Sequence, residues 1–134
     1  MFLGVSILAA PAATLQLKML NLTINGYHFT ATLTNNSSAQ ALVDWIGPDG
    51  KTLELDDYAG MEKVGELGTS LPCNDQQTTT QAGDLILYQG DKFVIYYGPN
   101  SWNFTRLGQI DNLKVTDFKQ ILGNGGITVK LTIN

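Results

Sequence analysis

The stretch Gly83-Asp84-Leu85-Ile86-Leu87-Tyr88-Gln89-Gly90-Asp91-Lys92-Phe93-Val94-Ile95-Tyr96-Tyr97-Gly98 decides the fold. Two runs of strand-forming residues flank Gly90-Asp91, a pair suited to a two-residue hairpin because glycine takes positive φ without steric cost. With that loop, Tyr88 lies opposite Phe93, Leu87 opposite Val94, Ile86 opposite Ile95 and Leu85 opposite Tyr96. Both faces of the hairpin are then apolar. A hairpin with one wet face alternates apolar and polar residues. This one is therefore expected to be covered by the core on one side and by a helix, a loop or a ligand on the other. The second face is the candidate site.

Upstream, Asn25-Gly26 separates Lys18-Met19-Leu20-Asn21-Leu22-Thr23-Ile24 from Tyr27-His28-Phe29-Thr30-Ala31-Thr32-Leu33-Thr34, the strongest short hairpin signal in the chain. Pairing Ile24 with Tyr27 sets Leu22 against Phe29 and Leu20 against Ala31 on one face. Thr23 then meets His28 on the other, so His28, the only histidine, points to solvent and has no second histidine with which to share a metal. Ser37, with Gln40 three residues on, has the form of a capping box. The helix it opens carries Ala39, Leu42, Val43 and Ile46 on one stripe and stops at Gly47-Pro48. Lys51–Leu55 alternates as a strand, and Tyr58–Leu67 is a strand interrupted by glycines. The acids Asp44, Asp49, Asp56 and Asp57 lack calcium-loop spacing and are expected to be solvated turn carboxylates.

Between these and the central hairpin lies a polar loop, Gly68 to Gln81, of a length that suggests function or mobility. Downstream, Pro99–Asn103 is a loop carrying Trp102, and Phe104–Ile110 a strand carrying Arg106, the only arginine. A second helix is expected from Thr116 through Phe118, Ile121 and Leu122 to Gly123. Ile127, Val129, Leu131 and Ile133 alternate along a closing strand. About eight strands with two short helices imply a mainly β fold, a closed eight-stranded antiparallel barrel with the helices capping its ends.

At 134 residues the chain is expected to form one domain with a core that needs neither disulfides nor a structural metal. A formal charge of −4 gives no attraction to phosphate backbones or anionic lipid, so nucleic acid is not an expected partner. Cys73 stands alone, which excludes an intrachain disulfide and a multi-cysteine zinc site. Residues 1–17 form an apolar tail, followed by the domain at 18–134. The run Met1–Ala13 ends in small residues resembling a signal-peptidase site yet lacks a basic start, and it is too short to span a bilayer. It reads either as the remnant of an export signal, with the localisation left open between cytoplasmic and exported, or as an extra apolar segment packed on the domain.

The order of Gly83–Tyr88, Phe93–Tyr97 and Thr105-Arg106-Leu107-Gly108-Gln109-Ile110 followed by a helix, with Ser70-Leu71-Pro72 ahead of the Gly-Asp strand, resembles the cyclophilin-like fold. More closely, it resembles bacterial cyclophilin-like domains of unassigned function, over roughly residues 18 to 134. Resemblance to true cyclophilins implies prolyl isomerisation, with a groove outside the barrel for a proline ring and an arginine that stabilises the twisted amide. On that resemblance Phe93 stands where the family has a groove phenylalanine, and Trp102 near its groove tryptophan. The chain departs from the pattern where the arginine is expected, since Gly50–Leu67 offers only Lys51 and Lys63 as cations, and the histidine expected ahead of Gly108 is missing.

The functional expectation is therefore a binding module for a peptide or small molecule in an apolar outer groove, without strong catalysis, cofactor or metal. Its candidate ligand-binding residues are Phe93, Trp102, Arg106, Tyr88, Tyr96 and Leu71. Tyr88, Tyr96, Tyr97 and Trp102 each carry a polar group that needs a partner if buried. The alternative is a weak peptidyl-prolyl cis-trans isomerase in which Arg106 takes over the electrostatic role, against a barrier of roughly 20 kcal/mol. The other role for Arg106 is a salt bridge that fixes strand geometry. A third possibility is homo-oligomer assembly through the N-terminal tail.

Overall fold

A computed structural model describes residues 19–134. The apolar tail, its possible export role and its possible part in assembly lie outside the described residues. The elements in order are β1 (Met19–Ile24), β2 (Tyr27–Leu33), α1 (Ser37–Ile46), β3 (Lys51–Tyr58), β4 (Glu62–Glu66), β5 (Gln76–Thr79), β6 (Asp84–Tyr88), β7 (Lys92–Tyr96), β8 (Ser101–Ile110), α2 (Val115–Leu122) and β9 (Ile127–Ile133). Eight strands pair antiparallel in the order β2-β1-β9-β3-β4-β7-β6-β8, and β8 returns to β2 to close the barrel. Closure depends on backbone approach at Gly108, which pairs with Leu33: a Cβ there would stand 2.6 Å from the carbonyl oxygen of Thr32.

The first hairpin has the expected register, with Ile24 opposite Tyr27, Leu22 opposite Phe29 and Leu20 opposite Ala31. His28 is exposed. Its turn suits the two residues that make it, Asn25 at φ 50° and Gly26 at φ 84°. Alternation then fills the barrel with Leu20, Leu22 and Ile24 from β1, Leu53 and Leu55 from β3, and Ile127, Val129 and Leu131 from β9, all buried. Each such aliphatic side chain contributes about 2 kcal/mol through burial. Helix α1 buries Ala39, Leu42 and Ile46 in the same core, and α2 buries Phe118 and Leu122, with Phe118 edge-on to Phe29 at 5.4 Å. The cap of α1 is Asn36, whose side chain accepts a hydrogen bond from the Ala39 amide at 2.8 Å. Gln40 turns instead to Asp44.

Three expectations are corrected. The loop between β6 and β7 has three residues, because Gln89 joins Gly90 at positive φ (55° and 78°). Tyr88 therefore pairs with Lys92, Leu87 with Phe93, Ile86 with Val94 and Leu85 with Ile95, one residue out of the expected register. The segment Gly68–Gln81 is not all loop, since β5 pairs with the N-terminal half of β8, Thr78 opposite Trp102. Ser101–Asn103 are consequently strand, and Trp102 sits on β8.

Candidate functional site

The central rib is apolar on both sides, as its composition demands. Leu85, Leu87, Phe93 and Ile95 face the barrel interior. On the outer side Ile86, Val94, Tyr96 and Phe104 form a second buried cluster, with Val64 and Tyr88 packed against it. Tyr96 and Phe104 meet at 5.6 Å between ring centroids, and Tyr88 and Phe104 at 6.3 Å in edge-to-face contact.

Above this floor opens a pocket of about 560 Å³. One wall comes from the β3–β4 hairpin, which contributes Tyr58, Met61, Glu62 and Val64. Its turn, with Ala59 and Gly60 both at positive φ, is tied back through the Met61 carbonyl, which accepts from the amides of Tyr97 and Gly98 at 2.9 and 3.1 Å. The other wall is Asn100, Trp102 and Phe104. It is held in place by Thr80, whose hydroxyl donates to the Gly98 carbonyl at 3.1 Å and accepts from the Asn100 amide at 2.9 Å. Trp102, 62% exposed, and Tyr58, 60% exposed, stand at the rim. Lys92 closes one end, its ammonium already shared between Asp91 at 3.0 Å and Glu66 at 3.5 Å.

Strand alternation in β4 sends neighbouring charges to opposite sides. Glu62 lines the pocket directly opposite Tyr96, while Lys63, wholly buried, points inward. The Lys63 ammonium donates to Asp57 at 3.0 Å and to the carbonyls of Gly123 and Gly125 at 2.8 and 2.5 Å, where the end of α2 favours a cation. Asp57 also accepts from the Tyr97 hydroxyl. Burial would raise the Asp57 carboxyl, but its hydrogen bonds from Tyr97 and Lys63 outweigh that and hold it below 3.8. Burial, then the bond to Asp57, pushes Tyr97 up to about 12.

Glu62 has no cation among the described residues to compensate it. Burial raises its carboxyl above the ordinary 4.5, the adjacent Tyr96 hydroxyl draws it partly back, and the charge on Asp57 adds to the rise. Tyr96 is raised well above 10, first by burial and then by Glu62, against a hydrogen bond from Asn100 at 3.2 Å. Among the described residues Glu62 makes no salt bridge.

The candidate residues named from sequence separate into two groups. Tyr88, Tyr96 and Trp102 meet at the pocket. Phe93, at 0% exposure, lies inside the barrel, because the one-residue register shift turns it inward. Leu71 is buried in the main core, its amide donating to the Gly90 carbonyl at 2.7 Å. Arg106 lies outside the pocket lining, with Nη1 2.6 Å from the buried carboxylate of Asp84. Sequence reading missed Tyr58, Met61, Glu62, Val64, Lys92, Asn100 and Phe104. The alternation Glu62-Lys63-Val64 next to a turn was the available signal for the acid. No helix among the described residues is long and apolar enough to cross a membrane.

A family model described as the cyclophilin-like family matches residues 22–134. Among solved structures, McbB in complex with tryptophan aligns with a TM-score of 0.61 at 13% identity, covering 84% of this chain and 43% of that one. The likeness is one of barrel fold, and the chain spans less than half of McbB's length. No curated protein matches the chain.

Proposed function

Because the chain belongs to the cyclophilin-like family, we propose that it is a binding domain that takes a peptide or small molecule in the pocket outside β6, β7 and β8, without strong catalysis. One observation carries this reading: over the buried floor of Ile86, Val94 and Tyr96, the rings of Tyr88, Phe104 and Trp102 line a pocket of about 560 Å³, with Trp102 mostly exposed at its rim. Such a volume, lined by aromatic rings with a few polar groups, suits a drug-sized ligand. The isomerase alternative is less well supported. Its arginine is engaged by Asp84 and stands away from the pocket lining.

Calorimetric titration with tryptophan, the ligand in the McbB complex, and with a proline-containing peptide tests the reading. We expect saturable binding of one of them that is lost in Trp102→Ala. Binding unchanged in that variant would place the ligand elsewhere. Accelerated proline exchange in the same peptide, abolished by Arg106→Ala, would favour the isomerase instead.

A further inference from the structure

We propose that this pocket selects a small organic cation, a protonated or quaternary amine on an apolar body. The ammonium would lie against the Glu62 carboxylate and the body among the rings of Tyr88, Phe104 and Trp102. The inference rests on the binding reading above and adds the charge of the ligand. Glu62 lies at the pocket, only 8% exposed, and no cation among the described residues is bonded to it. A carboxylate withdrawn from water without an ion partner is costly, and a cationic ligand offsets that cost. The one lysine at the pocket is already shared by Asp91 and Glu66. The lining is otherwise dominated by electron-rich rings, whose faces attract ammonium groups and offer nothing to an anion.

The groups that bear on Glu62 are Tyr96 across the sheet and Asp57 on β3, with Tyr88 and Lys92 lining the same pocket. None of these is a free cation that would compete with the ligand.

The test compares three probes of similar shape and different charge by calorimetry: phenethylamine, 2-phenylethanol and 3-phenylpropionate. We expect the amine to bind about tenfold more tightly than the alcohol. In Glu62→Gln that preference should vanish, and cooperative thermal unfolding at or above the wild-type midpoint shows that the variant is folded. In the wild-type protein the amine's affinity should fall as acid protonates Glu62, with the alcohol's affinity constant. Equal binding of amine and alcohol, or tightest binding of the carboxylate, overturns the charge inference and leaves the pocket reading standing. A lysine-bearing peptide that outbinds the free amine overturns the small-molecule assignment. Failure of all three probes and the peptide removes the pocket reading, and this inference with it.

Discussion

The Asp84 carboxylate, 1% exposed, accepts a hydrogen bond from Nη1 of Arg106 at 2.6 Å and a second from the Gln81 amide at 2.9 Å. The pair joins the first residue of β6 to β8 beside a register shift at Leu85/Ile86. Arg106→Ala leaves a buried carboxylate without its cation. Discounting for the guanidinium's partial exposure, we expect a loss of about 2 kcal/mol in chemical denaturation. Ligand affinity should not change, because Arg106 does not line the pocket. An unaltered midpoint with weakened binding would reverse that assignment.

Lys63 supports the barrel from within. Lys63→Ala strands Asp57 and two glycine carbonyls, at a cost of about 3–4 kcal/mol by thermal or urea unfolding. Because Asp57 titrates lower in the folded chain than in the unfolded one, its contribution is complete above pH 3.8 and disappears as acid approaches its folded value. In Lys63→Ala this acid-sensitive component should shrink. A variant as stable as wild type would show that the buried ammonium is dispensable.

Glu62 has the opposite sign. Its carboxyl titrates higher in the folded state, so the charged form is disfavoured by folding at neutral pH and the penalty fades as pH falls toward 4.5. Glu62→Gln should therefore stabilise the protein at pH 7 and lose that advantage in acid. A site retained at the expense of stability is what a ligand-binding role leads one to expect. A destabilised variant at pH 7 would mean that Glu62 serves packing instead.

Gly108→Ala tests barrel closure, since its methyl group would meet the Thr32 carbonyl at 2.6 Å across the β2–β8 seam. The three nearest atoms are all β2 backbone, from Thr32 and Leu33, which leaves little room to yield, so we expect a loss on the order of 3 kcal/mol. Hydrogen exchange should rise first in Ala31–Leu33. A neutral substitution would show that the seam is loose.

How far the sequence could be read depends on whether one face of each strand is polar. Around Asn25-Gly26, a slip by one residue would put Leu20 and Leu22 into water, so the pattern admits one register. Around Gly90 both faces are apolar, and either register satisfies the pattern. The choice fell to Gln89, a non-glycine residue at positive φ that composition does not reveal. That single residue turned Phe93 from candidate ligand contact to core and brought Tyr96 to the outer face beside Tyr88. Strand β5, Gln-Gln-Thr-Thr, has no apolar residue to mark it and exists by pairing with β8. Glu62 resembles any surface acid until the fold sets Tyr96 opposite it.

The most direct measurement is a backbone-amide NMR titration of the full chain with phenethylamine. Shift changes that saturate and centre on Glu62, Tyr88, Tyr96, Asn100 and Trp102 are the expected result. Saturable shifts clustered away from that face, or no shifts with any of the small probes or the peptide, would contradict a ligand-binding pocket on the outside of the barrel.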